Sequence, residues 1–203
     1  MAPAYPHRIV FLRHGQTAYN AENRLQGQRD VPLDGKGREQ AQAIGRFLGA
    51  AMGAEMARLD AAGAFWASPL ARTRQTMTLA RVAMGLPAEP YRLDGRLMEL
   101  SFGAWEGRTW DEVKRGDPAG VAARRADKWG FAPPHGESYA DMAARLAPWL
   151  AERDGDVLMV AHGGVARALM ALVAAVEPAA AADAEIWQGR ALIFEAGGCS
   201  WIG

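Results

Sequence analysis

The stretch HRIVFLRHGQTAYN, His7 to Asn20, decides how this chain is read. Its apolar run, Arg8 to Leu12, is rich in β-branched and aromatic residues, and too short for a helix to be the better assignment. The run ends in Arg13, His14 and Gly15. A buried strand has no structural use for two cationic-type side chains at its tip, so the pattern points to something anionic waiting there.

Working outward, three more runs share the character of the first: Ala64–Ser68 (AFWAS), Asp156–Ala161 (DVLMVA) and Ala191–Ala196 (ALIFEA). Near-continuous apolarity, rather than alternation, marks strands covered on both faces. Between them lie helical patterns. Lys36–Met52 puts Ala41, Ile44, Phe47 and Leu48 on one face, and Glu137–Leu150 does the same with Tyr139, Met142, Leu146, Trp149 and Leu150. Pro148 is expected to kink or end the second. A third, Val165–Val176, stops before Pro178, and helix continuation is expected through the alanine-rich tract around it. Alternating strands and helices predict an α/β fold, a mainly parallel sheet between helical layers.

The segment from about 94 to 135 breaks this rhythm with Trp105, Trp110, Trp129, several glycines and the Pro133-Pro134 pair. Thr109 with Glu112 offers a capping box for a short helix ending at Gly116. The segment reads as an insertion over the strand ends, its tryptophans packing a lid rather than gripping a ligand. No repeat or linker interrupts the chain, so residues 1–203 are expected to form a single domain.

Composition limits the possibilities. Lys plus Arg equals Asp plus Glu at 23 each, so no global field draws the chain to nucleic acid or a membrane surface. The single cysteine, Cys199, allows no internal disulfide and suits a reducing compartment. With neither a signal peptide nor a membrane-length apolar run, the cytoplasm is the expected location.

Ligands in open α/β sheets sit beyond the carboxyl ends of the strands. There the first strand delivers Arg13, His14 and Gly15; the second leads into SPLARTRQT with Arg72 and Arg74; the third delivers His162, Gly163 and Gly164. Arginine forks match phosphate oxygens and stay charged, while glycines let the backbone come close. A histidine flanked by arginines should be held neutral, with a lone pair free to attack phosphorus. The arginines and the second histidine would neutralise the developing charge without a metal or other cofactor. Each motif alone reads as a turn or a solvated helix start; together, at three strand ends, they make a site.

The chain is similar nearly end to end to the histidine phosphatase superfamily, in its phosphoglycerate mutase-like branch. The resemblance rests on LRHGQTAYN, RLQGQRDVPLDGKGREQA, SPLARTRQT, LMELSFGAWEG, PHGESYADMAARL and VAHGGVAR, in that order. It implies a three-layer α/β/α fold and assigns roles. His14 takes the phosphoryl group as phosphohistidine, and Arg13, Arg72 and His162 complete the phosphate pocket. Glu99 donates a proton to the leaving oxygen and later deprotonates water. Gly15, Asn20, Gln26 and Gly163 stand at substrate-contacting positions. Residues alone would not separate Glu99 from Glu106. Arg74 falls outside the pocket position, and His7 and His135 are expected at the surface or in the lid.

The implied activity is metal-independent hydrolysis of a small phosphomonoester. Phosphoglycerate mutase-type transfer and a catalytically silent phospho-ligand binder are the alternatives. The insertion is modest and only seven residues follow the last predicted strand, which leaves the site open to water and favours hydrolysis. Within the family the motifs look most like small bacterial phosphatases related to α-ribazole phosphatase. Oligomeric state is not legible.

Overall fold

The computed structural model describes residues 5–195 and 197–203. Its sheet has six strands: β1 (Ile9–Arg13), β2 (Phe65–Ala67), β3 (Arg92–Leu93), β4 (Val157–Ala161), β5 (Ala191–Glu195) and β6 (Gly198–Ile202), ordered β3-β2-β4-β1-β5-β6. β1 to β4 run parallel; β5 is antiparallel to β1, and β6 to β5. The central strands β1 and β4 pair from Ile9–Val157 to Arg13–Ala161, so Arg13 is the last residue of β1.

Continuous apolarity in β1 has the expected cause. Ile9 and Phe11 enter one core with α6 (Tyr139–Ala151) and α7 (Gly163–Leu172). Val10 and Leu12 enter a second core, on the other face, with α2 (Gly35–Ala61) and α3 (Ala71–Ala83). All four side chains are at most 1% exposed. Successive strand residues point to opposite faces, so both sides must be apolar when helices cover both. The architecture is three-layered, α/β/α.

Several expectations need adjusting. β3 and β6 were not anticipated. β3 is a two-residue exposed edge, and β6, GCSWI, carries too little apolar pattern to stand out. Ala196, placed at the end of the fourth predicted strand, lies outside the described residues. α2 runs on to Ala61 through a non-helical Met52, and Phe47 is 38% exposed rather than packed on the core face. α6 keeps Pro148 inside it and buries all five residues of its predicted face. α7 stops at Leu172; a left-handed Ala175 and Pro178 at N1 start a separate α8 (Pro178–Asp183) instead of continuing the helix.

The insertion folds as α4 (Trp110–Gly116), with the predicted Thr109–Glu112 capping box, and α5 (Pro118–Ala126), which was not foreseen. Trp105 is buried with Leu25 and Val113 in a small third core, stacks on Phe131 and donates to Asp117 Oδ2. Trp129 stacks on Tyr139.

Candidate active site

Gly15 follows β1 for a packing reason. A Cβ there would fall far inside contact distance of the Gly37 carbonyl oxygen at the start of α2. Its amide is donated to Thr76 Oγ1 at 3.0 Å, and it does not line the cleft above the strand ends. Gly15 thus holds His14 in place without itself facing a ligand.

That cleft, about 420 Å³, is lined by Arg13, His14, Asn20, Gln26, Arg72, Glu99 and Gly163, together with Phe102, Trp110 and Arg124 from the insertion. Most residues expected at the site therefore meet in one place, beneath the insertion. His162 lies in the layer below, fully buried, its ring 5.2 Å from that of His14 between centroids.

His14 is 2% exposed, and its Nδ1 lies 2.7 Å from the Gly15 carbonyl oxygen. A carbonyl only accepts, so Nδ1 carries the proton and Nε2 keeps its lone pair. Burial first, then the charges of Arg72 and Arg13, push its pKa well below the ordinary imidazole value. His162 is held neutral in the same way. Ser68 Oγ stands 2.9 Å from His162 Nε2 and accepts the Leu70 amide at 3.4 Å. The serine proton is thereby directed at Nε2, which puts the imidazole proton on Nδ1, a buried nitrogen with no protein partner.

The two inner arginines are held by backbone rather than by acids. Arg72 is completely buried and donates from Nη1 to Arg29 O at 2.7 Å and from Nη2 to Gly27 O at 2.8 Å. Arg13 donates from Nη1 to Ile186 O at 2.6 Å. The buried Nε of each lacks a partner, and neither pairs with a carboxylate among the described residues. Buried Arg81, by contrast, has Asp60 at 2.7 Å. Desolvation pushes the Arg72 pKa down to about 10 and lowers that of Arg13. An unpaired buried charge is costly, so this arrangement is complete only with an anion present.

Neutral donors complete the cradle. Asn20 Oδ1 accepts from Thr17 and from Gln188 Nε2 at 3.0 Å, which orients its amide and leaves the NH₂ group free. The Gln26 side-chain amide and the Gly163 N–H have no partner among the described residues, and Gly163 opens α7, whose dipole favours negative charge.

Glu99 is the one carboxylate lining the cleft. It accepts the amides of Leu100 at 2.9 Å and Gly164 at 3.0 Å. Arg145 holds the surrounding loop through the carbonyls of Arg96, Met98 and Glu99, and is itself paired with Glu137. Glu106 is engaged elsewhere: its Oε1 accepts the amides of Gln28 and Phe102, tying the insertion down. The ambiguity between the two acids is thus resolved by their neighbours. Arg74 and His135 are exposed and outside the cleft; His7 packs edge-on against Tyr5.

Sequence reasoning missed Arg24, Arg124, Lys128, Tyr139 and Arg167 as lining residues. Only Arg167 carried a usable signal, standing four residues after Gly163 on the same face of α7. Among the described residues no cluster of three or more His, Cys, Asp or Glu could hold a metal ion, and no helix is long and apolar enough to cross a membrane.

Comparison with known proteins agrees with this geometry. The histidine phosphatase superfamily (branch 1) matches residues 9–202. A glucosyl-3-phosphoglycerate phosphatase of Mycolicibacterium vanbaalenii is 38% identical over 178 residues, covering 81% of this chain and 72% of that one. The solved structure of a mycobacterial glucosyl-3-phosphoglycerate phosphatase superposes with a TM-score of 0.75 at 31% identity, covering 97% and 96% of the two chains. The α-ribazole phosphatase of Shigella flexneri shares the fold, with a TM-score of 0.72 at 24% identity over 92% and 89%.

Proposed function

This chain belongs to the histidine phosphatase superfamily, and from that premise we propose that it is a phosphatase that hydrolyses a small phosphorylated metabolite through a phosphohistidine at His14, without a metal. The observation that carries the reading is the neutral His14, proton pinned on Nδ1, between two buried guanidinium groups that have no carboxylate partner.

In this mechanism the phosphoryl group sits against Arg13, Arg72, His162 Nδ1–H, Asn20, Gln26 and the Gly163 amide. His14 Nε2 attacks phosphorus: the P–N bond forms, the ester P–O bond breaks, and its electron pair leaves with the alkoxide oxygen. Glu99, the cleft's only carboxyl group, gives that oxygen a proton. Water then attacks phosphorus, Glu99 takes its proton, and the P–N pair returns to His14. Fixed donors aimed at the transferring group stabilise its charge throughout. Water, rather than a second hydroxyl, is the acceptor, which separates this reading from a mutase. The reading treats the chain as one catalytic domain of the cytoplasm, where a lone cysteine stays reduced.

The test is phosphate release from aryl and alkyl phosphates in excess EDTA, with acid-free quenching and peptide mass analysis. The expected result is release by wild type, a phosphoryl adduct on the peptide holding His14, and a loss of about a thousandfold or more in kcat for His14→Ala. Release abolished by EDTA, or an unchanged rate in His14→Ala, would overturn it.

A further inference from the structure

Six cationic side chains line the cleft against the single carboxylate Glu99, in a chain whose net charge is zero. Arg13 and Arg72 are accounted for by a phosphoryl group. Two of the outer four are neutralised within the protein: Arg24 by Glu22 and Glu112, and Lys128 by Asp183 at 2.6 Å. Arg124 and Arg167 are not.

Arg124 is half-buried, lies over the ring of Trp110 at 5.0 Å, and makes no hydrogen bond or ion pair among the described residues. Its nearby acid, Asp183, is already engaged by Lys128. Arg167 donates from Nε to Ala184 O at 3.0 Å and reaches Tyr139 Oη from Nη1 at 3.4 Å, contacts that orient it without neutralising it. It also adjoins the phosphoryl position: a Cβ on Gly163 would stand 3.4 Å from Arg167 Nη1 and 3.8 Å from Arg13 Nε. Unpaired cations thus continue outward from the phosphoryl pocket into the insertion, along a wall that includes Phe102 and Trp110.

We propose that Arg124 and Arg167 form a second anion subsite, so that the substrate is a phosphomonoester whose alcohol portion carries its own carboxylate or phosphate. This rests on the phosphatase reading above. A phosphate ester with a neutral alcohol would satisfy Arg13 and Arg72 and leave two partly desolvated guanidinium groups without a counter-charge. A second anion pairs with them, and a guanidinium accepts a carboxylate or a phosphate equally well. Specificity by charge pairing in a partly enclosed cleft acts mainly on binding and weakens with salt.

The experiment compares kcat/KM of the wild-type protein for 3-phosphoglycerate, fructose 1,6-bisphosphate and glycerol 3-phosphate, then repeats it with Arg124→Gln and Arg124→Lys. The expected preference for at least one anionic ester over the neutral-tailed one is about tenfold or more. Arg124→Gln should reduce that ratio through KM, Arg124→Lys should restore part of it, and added salt should erode it. Which anionic ester is favoured tells carboxylate from phosphate. Hydrolysis of all three with no preference overturns the subsite alone, as does an equal loss on all three in Arg124→Gln. Hydrolysis of none, nor of any aryl phosphate, overturns the phosphatase reading and the subsite with it. The wild-type comparison needs no variant, so a failure of Arg124→Gln to fold leaves the test intact.

Discussion

Gly164 donates its amide to Glu99 Oε1 at 3.0 Å, and a Cβ on Gly164 would fall far inside contact distance of that same oxygen. The second glycine of the HGG motif is therefore there because the carboxylate of the 96–101 loop rests on the first turn of α7. The close approach makes a helix N-terminus and a proton-carrying group parts of one unit.

Gly164→Ala should push Glu99 off the helix while leaving the buried face of α7 packed. A loss of about tenfold to a hundredfold in kcat on alkyl phosphates is expected. The melting temperature should change little, because Ala is a better helix former than Gly. Unchanged turnover would mean that the Glu99 position is not critical.

Glu99→Gln keeps shape and hydrogen-bond acceptance but removes the exchangeable proton. Alkyl phosphates, whose leaving oxygen needs that proton, should slow by about a hundredfold or more. Nitrophenyl phosphate, whose phenolate leaves unaided, should lose much less in the step that forms phosphohistidine. Burst and steady-state rates measured on both substrates separate the two half-reactions, and equal losses in the first would make Glu99 a structural residue.

Ser68→Ala removes the hydroxyl that sets the His162 tautomer. Inorganic phosphate should then bind about tenfold more weakly, the scale of one hydrogen bond to a charged group. The ¹⁵N spectrum of the His162 ring should show the proton redistributed between Nδ1 and Nε2. A tautomer unchanged from wild type would assign its control to something other than Ser68.

Stability should fall on mild acidification. His14 and His162 are buried with depressed pKa values. The unfolded chain takes up their protons as pH drops through about 6.5, while the folded one does not. Each histidine thus adds a slope of about 1.4 kcal/mol per pH unit, with stability present above pH 6.5 and lost below it. Urea unfolding at pH 7.5, 6.5 and 5.5 should show this, and His14→Asn should roughly halve the slope. A flat profile would mean that the rings take up protons in place.

How much of this was legible beforehand depended on whether a feature was local. The Thr109–Glu112 cap, the buried face of α6 and the cores beneath β1, β2, β4 and β5 are properties of short windows, and the structure has them as read. β3 and β6 escaped because an edge strand owes its pairing to a neighbour rather than to its own apolarity. Phe47 was misplaced because helical phase gives a face, not the width of what covers it.

The same division runs through the site. Residue types and their spacing along the chain by themselves determined the α/β alternation, and brought two histidines and an arginine fork to one sheet edge. The motifs around them, through their resemblance to a family, already named Glu99. Only the tertiary structure decided that Gly15 packs instead of binding, that Glu106 is bound to backbone amides while Glu99 faces the cleft, and that Arg124 and Arg167 stand there unpaired. The physical reason is that a strand or helix follows from neighbours in the chain. The charge state and availability of a side chain follow from neighbours in space, whose identity no local window contains.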